Sequence, residues 1–131
     1  MSAIEQIKFD EGFRGKPYLD TVGKTTIGYG RNLDDNPLTK EEAEYLLKND
    51  LKKVLCDCRK LHYFSELTII RKDIIINMVY NLGITRFKRF IKMNKALSEK
   101  NYFLASVEML DSKWARQVGD RAKRLANEMK D

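Results

Sequence analysis

The stretch "DEGFRGKPYLDTVGKTTIGYGRN", residues 10–32, places Glu11, Asp20 and Thr26 among five glycines. Its β-branched and aromatic residues, punctuated by Gly23, Gly28 and Gly30, predict short strands joined by a turn. Pro17 argues against a central strand that begins before residue 18, because proline cannot donate to a ladder. Just upstream, "SAIEQIKFDEG" reads as a short helix. Ser2 and Glu5 have the spacing of a capping box, Ile4 and Ile7 recur at helical spacing, and Gly12 is the expected stop. Glu11 therefore falls at a helix end, Asp20 at a strand end and Thr26 on the next strand. A hairpin folded back beside the helix end would turn all three towards one cleft. Acidic residues in a polar turn are ordinarily solvated. Two carboxyl groups flanking a cleft are also what glycoside cleavage requires: one protonates the leaving oxygen, the other activates water or attacks the sugar. A threonine hydroxyl could help hold that water. The segment is not a nucleotide loop, because no glycine stands five residues before the Gly23–Lys24–Thr25 triplet.

Downstream, "NLDDNPL" at 32–38 is a loop, and Thr39 with Glu42 forms a second capping box. Ala43, Leu46, Leu47, Leu51 and Val54 then share one face, which predicts a helix over about 40–58. The remainder is helical in pattern, with breaks near 61–66, Gly83, 98–101 and Gly119. Ile69, Ile70, Ile74, Met78, Val79 and Leu82 form the expected buried face of a central helix that stops at Gly83. The isoleucine-rich 68–76 run also admits a strand, but length and period favour helix. The expectation is a single α+β domain. It has a small β-hairpin lobe at about 13–38, a linking helix at about 40–58 and an all-helical lobe at about 60–131, with a cleft between the lobes.

A chain of 131 residues, 43% hydrophobic and 34% charged, fits one folded domain with a real core. Its longest apolar run, "IIINMVYNLG" at 74–83, is far short of the roughly 20 residues of a membrane span. The N-terminus lacks a basic region followed by an apolar one, so no signal peptide is expected. The net charge of +6 favours polyanionic partners, whether nucleic acid, anionic lipid or an anionic wall, without choosing among them. Cys56 and Cys58 point in different directions on a helix, and with the single His62 they make only part of a zinc site. Reduced structural thiols and no metal are expected.

The stretch from Glu11 to Gly30 matches E-G-x-R-x-x-x-Y-x-D-x-x-G-x-x-T-I-G-x-G at every fixed position. With the following "NLDDNPLTKEEAEYLLKNDL" it closely resembles the phage-type lysozymes (muramidases, endolysins). "NMVYNLGITRFKRF" at 77–90 is similar to that family's central-helix motif, with Asn81 and Gly83 at the cleft border. "SKWARQVGDRAKRLA" at 112–126 is similar to its C-terminal block through Trp114, Gln117, Arg121 and Arg124. The resemblance is strong over about 5–47, moderate over 77–90 and 112–126, and slight over 55–70. The chain departs in carrying Arg31 where many members have histidine, and it is short for the family.

The resemblance implies a lysozyme-like fold and hydrolysis of the β-1,4 bond between N-acetylmuramic acid and N-acetylglucosamine in bacterial peptidoglycan. It implies Glu11 as general acid, Asp20 as the carboxylate that positions water or stabilises the oxocarbenium-like transition state, and Thr26 as a water-orienting hydroxyl. Arg31, Asn81, Trp114, Gln117 and Arg121 are the expected substrate-binding or supporting residues, with Arg121 a candidate partner of Glu11. A single tryptophan in a helical domain is more often a core group than a sugar contact, and that reading of Trp114 stands beside the other. No cofactor, metal, nucleic-acid partner or stable membrane insertion is implied. A monomer is expected, held in the host cytoplasm until a holin opens the membrane and then acting on the wall during phage or prophage lysis.

Overall fold

Both N-terminal capping boxes form. The Ser2 hydroxyl accepts from the Glu5 amide while the Glu5 carboxylate accepts from the Ser2 amide, and this starts helix α1, Ala3–Glu11. The Thr39 hydroxyl accepts from the Glu42 amide at 3.1 Å and the Glu42 carboxylate from the Thr39 amide at 2.9 Å, which starts α2, Lys40–Arg59. Each box satisfies backbone donors that a helix start leaves open. The structure, a computed structural model, describes all residues 1–131. It divides into two units, Met1–Leu46 and Leu47–Asp131, with the boundary inside α2.

In the first unit α1 leads into a three-stranded antiparallel sheet ordered β1 (Arg14–Leu19), β2 (Thr25–Gly28), β3 (Arg31–Asn32). Thr26 pairs with Tyr18 on one side and Asn32 on the other. The strand containing Pro17 begins at Arg14, and it is not a central one, in keeping with the proline. β1 is an edge strand, and its register with β2 shifts between Arg14 and Tyr18, so the missing amide falls where the ladder is irregular. The Arg14 guanidinium lies 4.4 Å over the Tyr18 ring and braces this edge. Thr26 is the one buried residue of the unit.

The second unit holds the hydrophobic core. After α2, a single 3-10 turn at Phe64–Glu66 leads to α3 (Ile69–Leu82), α4 (Ile84–Lys88), α5 (Ile91–Ser98), α6 (Tyr102–Leu110), α7 (Lys113–Val118) and α8 (Asp120–Lys130). α6 packs on α5 and α8, and α3 packs on α4 and α8. Phe87, Ile74, Ile75, Met78, Met93, Leu97, Met109 and Met129 are fully enclosed. On α8 the apolar residues Ala122, Leu125, Ala126 and Met129 face inward at helical spacing, and Lys123 and Arg124 face solvent. The expected breaks at 61–66, Gly83, 98–101 and Gly119 all occur. Further breaks, not expected from the pattern, fall at Arg89–Phe90 and at Asp111–Ser112, where the Ser112 hydroxyl accepts from the Ala115 amide and caps α7.

Two apolar faces differ from expectation. Ile69 and Ile70 are 78% and 60% exposed, whereas Ile74, Ile75, Met78 and Val79 are buried. On α2, Leu46 and Leu47 are exposed, and Cys58 is the buried residue. Periodicity names a face, but burial also needs a neighbouring element, and in the first turn of α3 the neighbours meet Arg71, through the Met129 carbonyl and the Tyr102 ring at 3.8 Å, and not Ile69 or Ile70. Both cysteines are free. Burial, and then the Asp57 charge, pushes the Cys58 thiol up to about 11, so it sits in the core as a protonated apolar group. No helix is long and apolar enough to cross a membrane.

Candidate active site

Glu11 is the last residue of α1. Gly12 follows at φ +71° with its amide donating to the Lys8 carbonyl, so the helix ends there and the Glu11 side chain stays exposed. No side-chain hydrogen bond or ion pair holds the Glu11 carboxylate. It rests instead against the bare Cα of Gly30: a Cβ added to Gly30 would lie 2.5 Å from Glu11 Oε2 and 2.6 Å from its Cδ. Gly30 is at φ +77°, a conformation that favours glycine, and a Cβ there would push the end of the Glu11 side chain out of its place. Beside this contact, Lys8 lies 5.6 Å over the Tyr29 ring, and Phe13 packs on the same ring at 5.6 Å. The end of α1 is thereby tied to the β2–β3 turn.

Asp20 begins the turn after β1 and is half-buried. Its Oδ1 accepts from the Val22 amide at 2.9 Å and the Lys24 amide at 2.8 Å, and its own amide donates to the Lys24 carbonyl. One carboxylate oxygen is thus fixed by the turn, and Oδ2 has no protein donor and is free for a ligand or water. Thr26, on β2, donates its hydroxyl to the Lys24 carbonyl at 3.0 Å and is 3% exposed. With its proton committed, Thr26 Oγ1 can serve a water only as an acceptor.

Arg31 stands at the start of β3. Its Nε donates to the Asn36 carbonyl at 2.7 Å and Nη2 to the Pro37 carbonyl at 2.7 Å. The two Nη groups also reach the two Glu42 carboxylate oxygens, at 2.5 and 2.9 Å. The fork spans the 32–38 loop from strand to helix, so Arg31 supports the hairpin with almost all of its donors. Its hydrogen bond, followed by the Thr39 amide, holds the Glu42 carboxyl at about 2, below its ordinary 4.5. A depressed carboxyl stabilises the fold fully above its unfolded value, and that contribution is lost as pH falls through the folded one. Wild type is therefore expected to exceed Glu42→Gln in denaturant stability above about pH 4.5, with the difference vanishing towards about pH 2.

In the second unit, Trp114 is 4% exposed and its indole N–H donates to Asn81 Oδ1 at 2.8 Å. The indole is a core group with its polar tip satisfied. Trp114→Phe is expected to cost about 1 kcal/mol in thermal denaturation. The Arg121 guanidinium donates twice to Asn77 Oδ1, at 2.9 and 2.6 Å, and both residues line a hollow of about 250 Å³ with Asp73 and Tyr80. Gln117 is exposed on α7. Asn77, Gly30 and Glu42 carry contacts that the spacing did not assign. Glu42 was legible as a cap, and the signal for more was an arginine where a histidine is common.

The phage lysozyme family model matches residues 8–130. The chain belongs to the phage lysozyme family. The chain is 29% identical to "Probable T4-type lysozyme 1" of Dictyostelium discoideum over 154 aligned positions, covering 95% of this chain and 91% of that protein. It is 33% identical to an endolysin of Acyrthosiphon pisum secondary endosymbiont phage 1 over 114 positions, covering 84% of this chain and 75% of that protein. It is also 27% identical to the pre-baseplate central spike protein Gp5 of Enterobacteria phage T4, over 95% of this chain but 27% of that protein. Family membership makes the chain a lysozyme-type glycoside hydrolase. The 154-position alignment exceeds the 131 residues here, so extra residues interrupt the matched span in that relative.

Proposed function

We propose that this lysozyme hydrolyses the β-1,4 bond between N-acetylmuramic acid and N-acetylglucosamine in bacterial peptidoglycan, during host-cell lysis by a phage or prophage. The observation that carries the reading is the Asp20 carboxylate, with Oδ1 locked by two amides and Oδ2 left open, within the signature that begins at Glu11. A carboxylate held this way can take a proton from water without reorganising, which suits an inverting attack. Glu11 protonates the leaving oxygen, and Thr26 Oγ1 accepts one hydrogen of the attacking water. Asn81, Trp114, Gln117 and Arg121 are supporting residues of the second unit, with Arg121 held by Asn77.

The wall is anionic, and the charge of the chain is unevenly spread. Residues 47–131 carry 19 Lys and Arg against 10 Asp and Glu, and residues 1–46 carry 6 against 9. The second unit therefore supplies the attraction to the wall, and clearing should slow as salt rises. Synthesis in the host cytoplasm, release through a holin and action as a monomer complete the reading. The test is turbidity clearing of purified walls. Clearing by wild type supports the hydrolase, whereas wall binding without clearing would make the chain a binding module.

A further inference from the structure

The Glu11 carboxylate has no polar anchor. Its end lies against the Gly30 backbone. Gly30 is followed directly by Arg31, whose side chain is pinned at four points, two of them on Glu42. Glu42 is in turn fixed by the Thr39 amide in the first turn of α2. A continuous path of contacts therefore runs from the start of α2 to the carboxylate at the end of α1: Thr39 to Glu42, Glu42 to Arg31, Arg31 through one peptide bond to Gly30, and Gly30 to Glu11. All five residues lie in the first unit. A flat guanidinium gripping both oxygens of a carboxylate fixes direction as well as distance.

We propose that the Arg31–Glu42 pair is a positioning device for the Glu11 proton donor, with Glu42 as its anchor. The proposal rests on the hydrolase reading and adds a residue to it. Glu42 touches no substrate. It acts by holding the β3 backbone, and so the seat of the Glu11 carboxyl, in the place from which a proton reaches the leaving oxygen. Glu42→Gln keeps the shape of the side chain and an acceptor for the Thr39 amide, but it can no longer offer two anionic oxygens to the fork. The β3 backbone is then free to shift. Proton transfer is sensitive to such shifts, since a displacement of about 1 Å can cost on the order of a hundredfold in rate.

The experiment is a double-mutant cycle on a soluble peptidoglycan oligosaccharide, measured well below the melting temperature of every variant, with the folded fraction checked by circular dichroism. Glu42→Gln is expected to lower kcat about tenfold with KM within about twofold. Gly30→Ala, which puts a methyl group into the seat, is expected to lower kcat further. Adding Glu42→Gln to Gly30→Ala is then expected to change kcat by less than about twofold, because both act through one carboxyl. A double variant that loses the full product of the two single effects would show Glu42 acting elsewhere and overturn the proposal. An unchanged kcat in Glu42→Gln would overturn it too. Should Gly30→Ala fail to fold, Arg31→Met replaces it in the cycle with the same expectation. Glu11→Gln is the control: if it keeps activity, the hydrolase role of Glu11 fails. If it is inactive while Glu42→Gln matches wild type, only the positioning claim fails.

Discussion

Glu11→Gln is expected to fold like wild type and to clear cell walls about 10²–10⁴-fold more slowly. The amide is nearly the same size as the carboxyl, and Glu11 is exposed and makes no ion pair in its own unit, so its removal costs the fold little. The contact with Gly30 is kept, because the amide occupies the same seat. What is lost is the proton. Cleavage of a glycosidic bond without protonation of the leaving oxygen expels an alkoxide, and the rest of the site cannot supply that stabilisation. The check is turbidity clearing alongside a thermal melt of both proteins. Equal clearing would remove Glu11 from the mechanism, and a large drop in melting temperature would mean that the carboxylate has a structural role absent from its observed contacts.

Phe87→Ala should have the largest effect on stability. Phe87 is fully enclosed in the second unit among helices that pack from several sides, next to a core of Ile74, Ile75, Met78 and Met109. Truncation removes the ring from a site whose walls belong to different helices, so the space cannot close by moving one side chain. The expected cost is about 3–5 kcal/mol, seen as a lower denaturant midpoint with an unchanged slope. A loss below about 1 kcal/mol would mean that the α4 region collapses around the gap, against the close packing described for it.

The sequence made the helix starts legible because capping boxes are local: Ser2 with Glu5 and Thr39 with Glu42 are each three residues apart and need nothing distant. The proposal of Glu11, Asp20 and Thr26 as a site rests on something different, a long signature with every fixed position present. What the residues alone did not reveal was non-local. The burial of Ile75 and the exposure of Ile69 depend on where neighbouring helices end. The four donors of Arg31 converge on two carbonyls and a carboxylate only after the 32–38 loop has folded. Pro17 correctly barred a central strand, but that its segment would form an edge strand from Arg14 is a property of the whole sheet.

The most direct measurement is mass spectrometry of the muropeptides released from purified walls by the wild-type enzyme in ¹⁸O-labelled water. Hydrolysis assisted by Asp20 predicts products with one added water, carrying a single ¹⁸O at a new reducing N-acetylmuramic acid end. Anhydro products with no incorporated oxygen, or a new reducing end on N-acetylglucosamine, would contradict it.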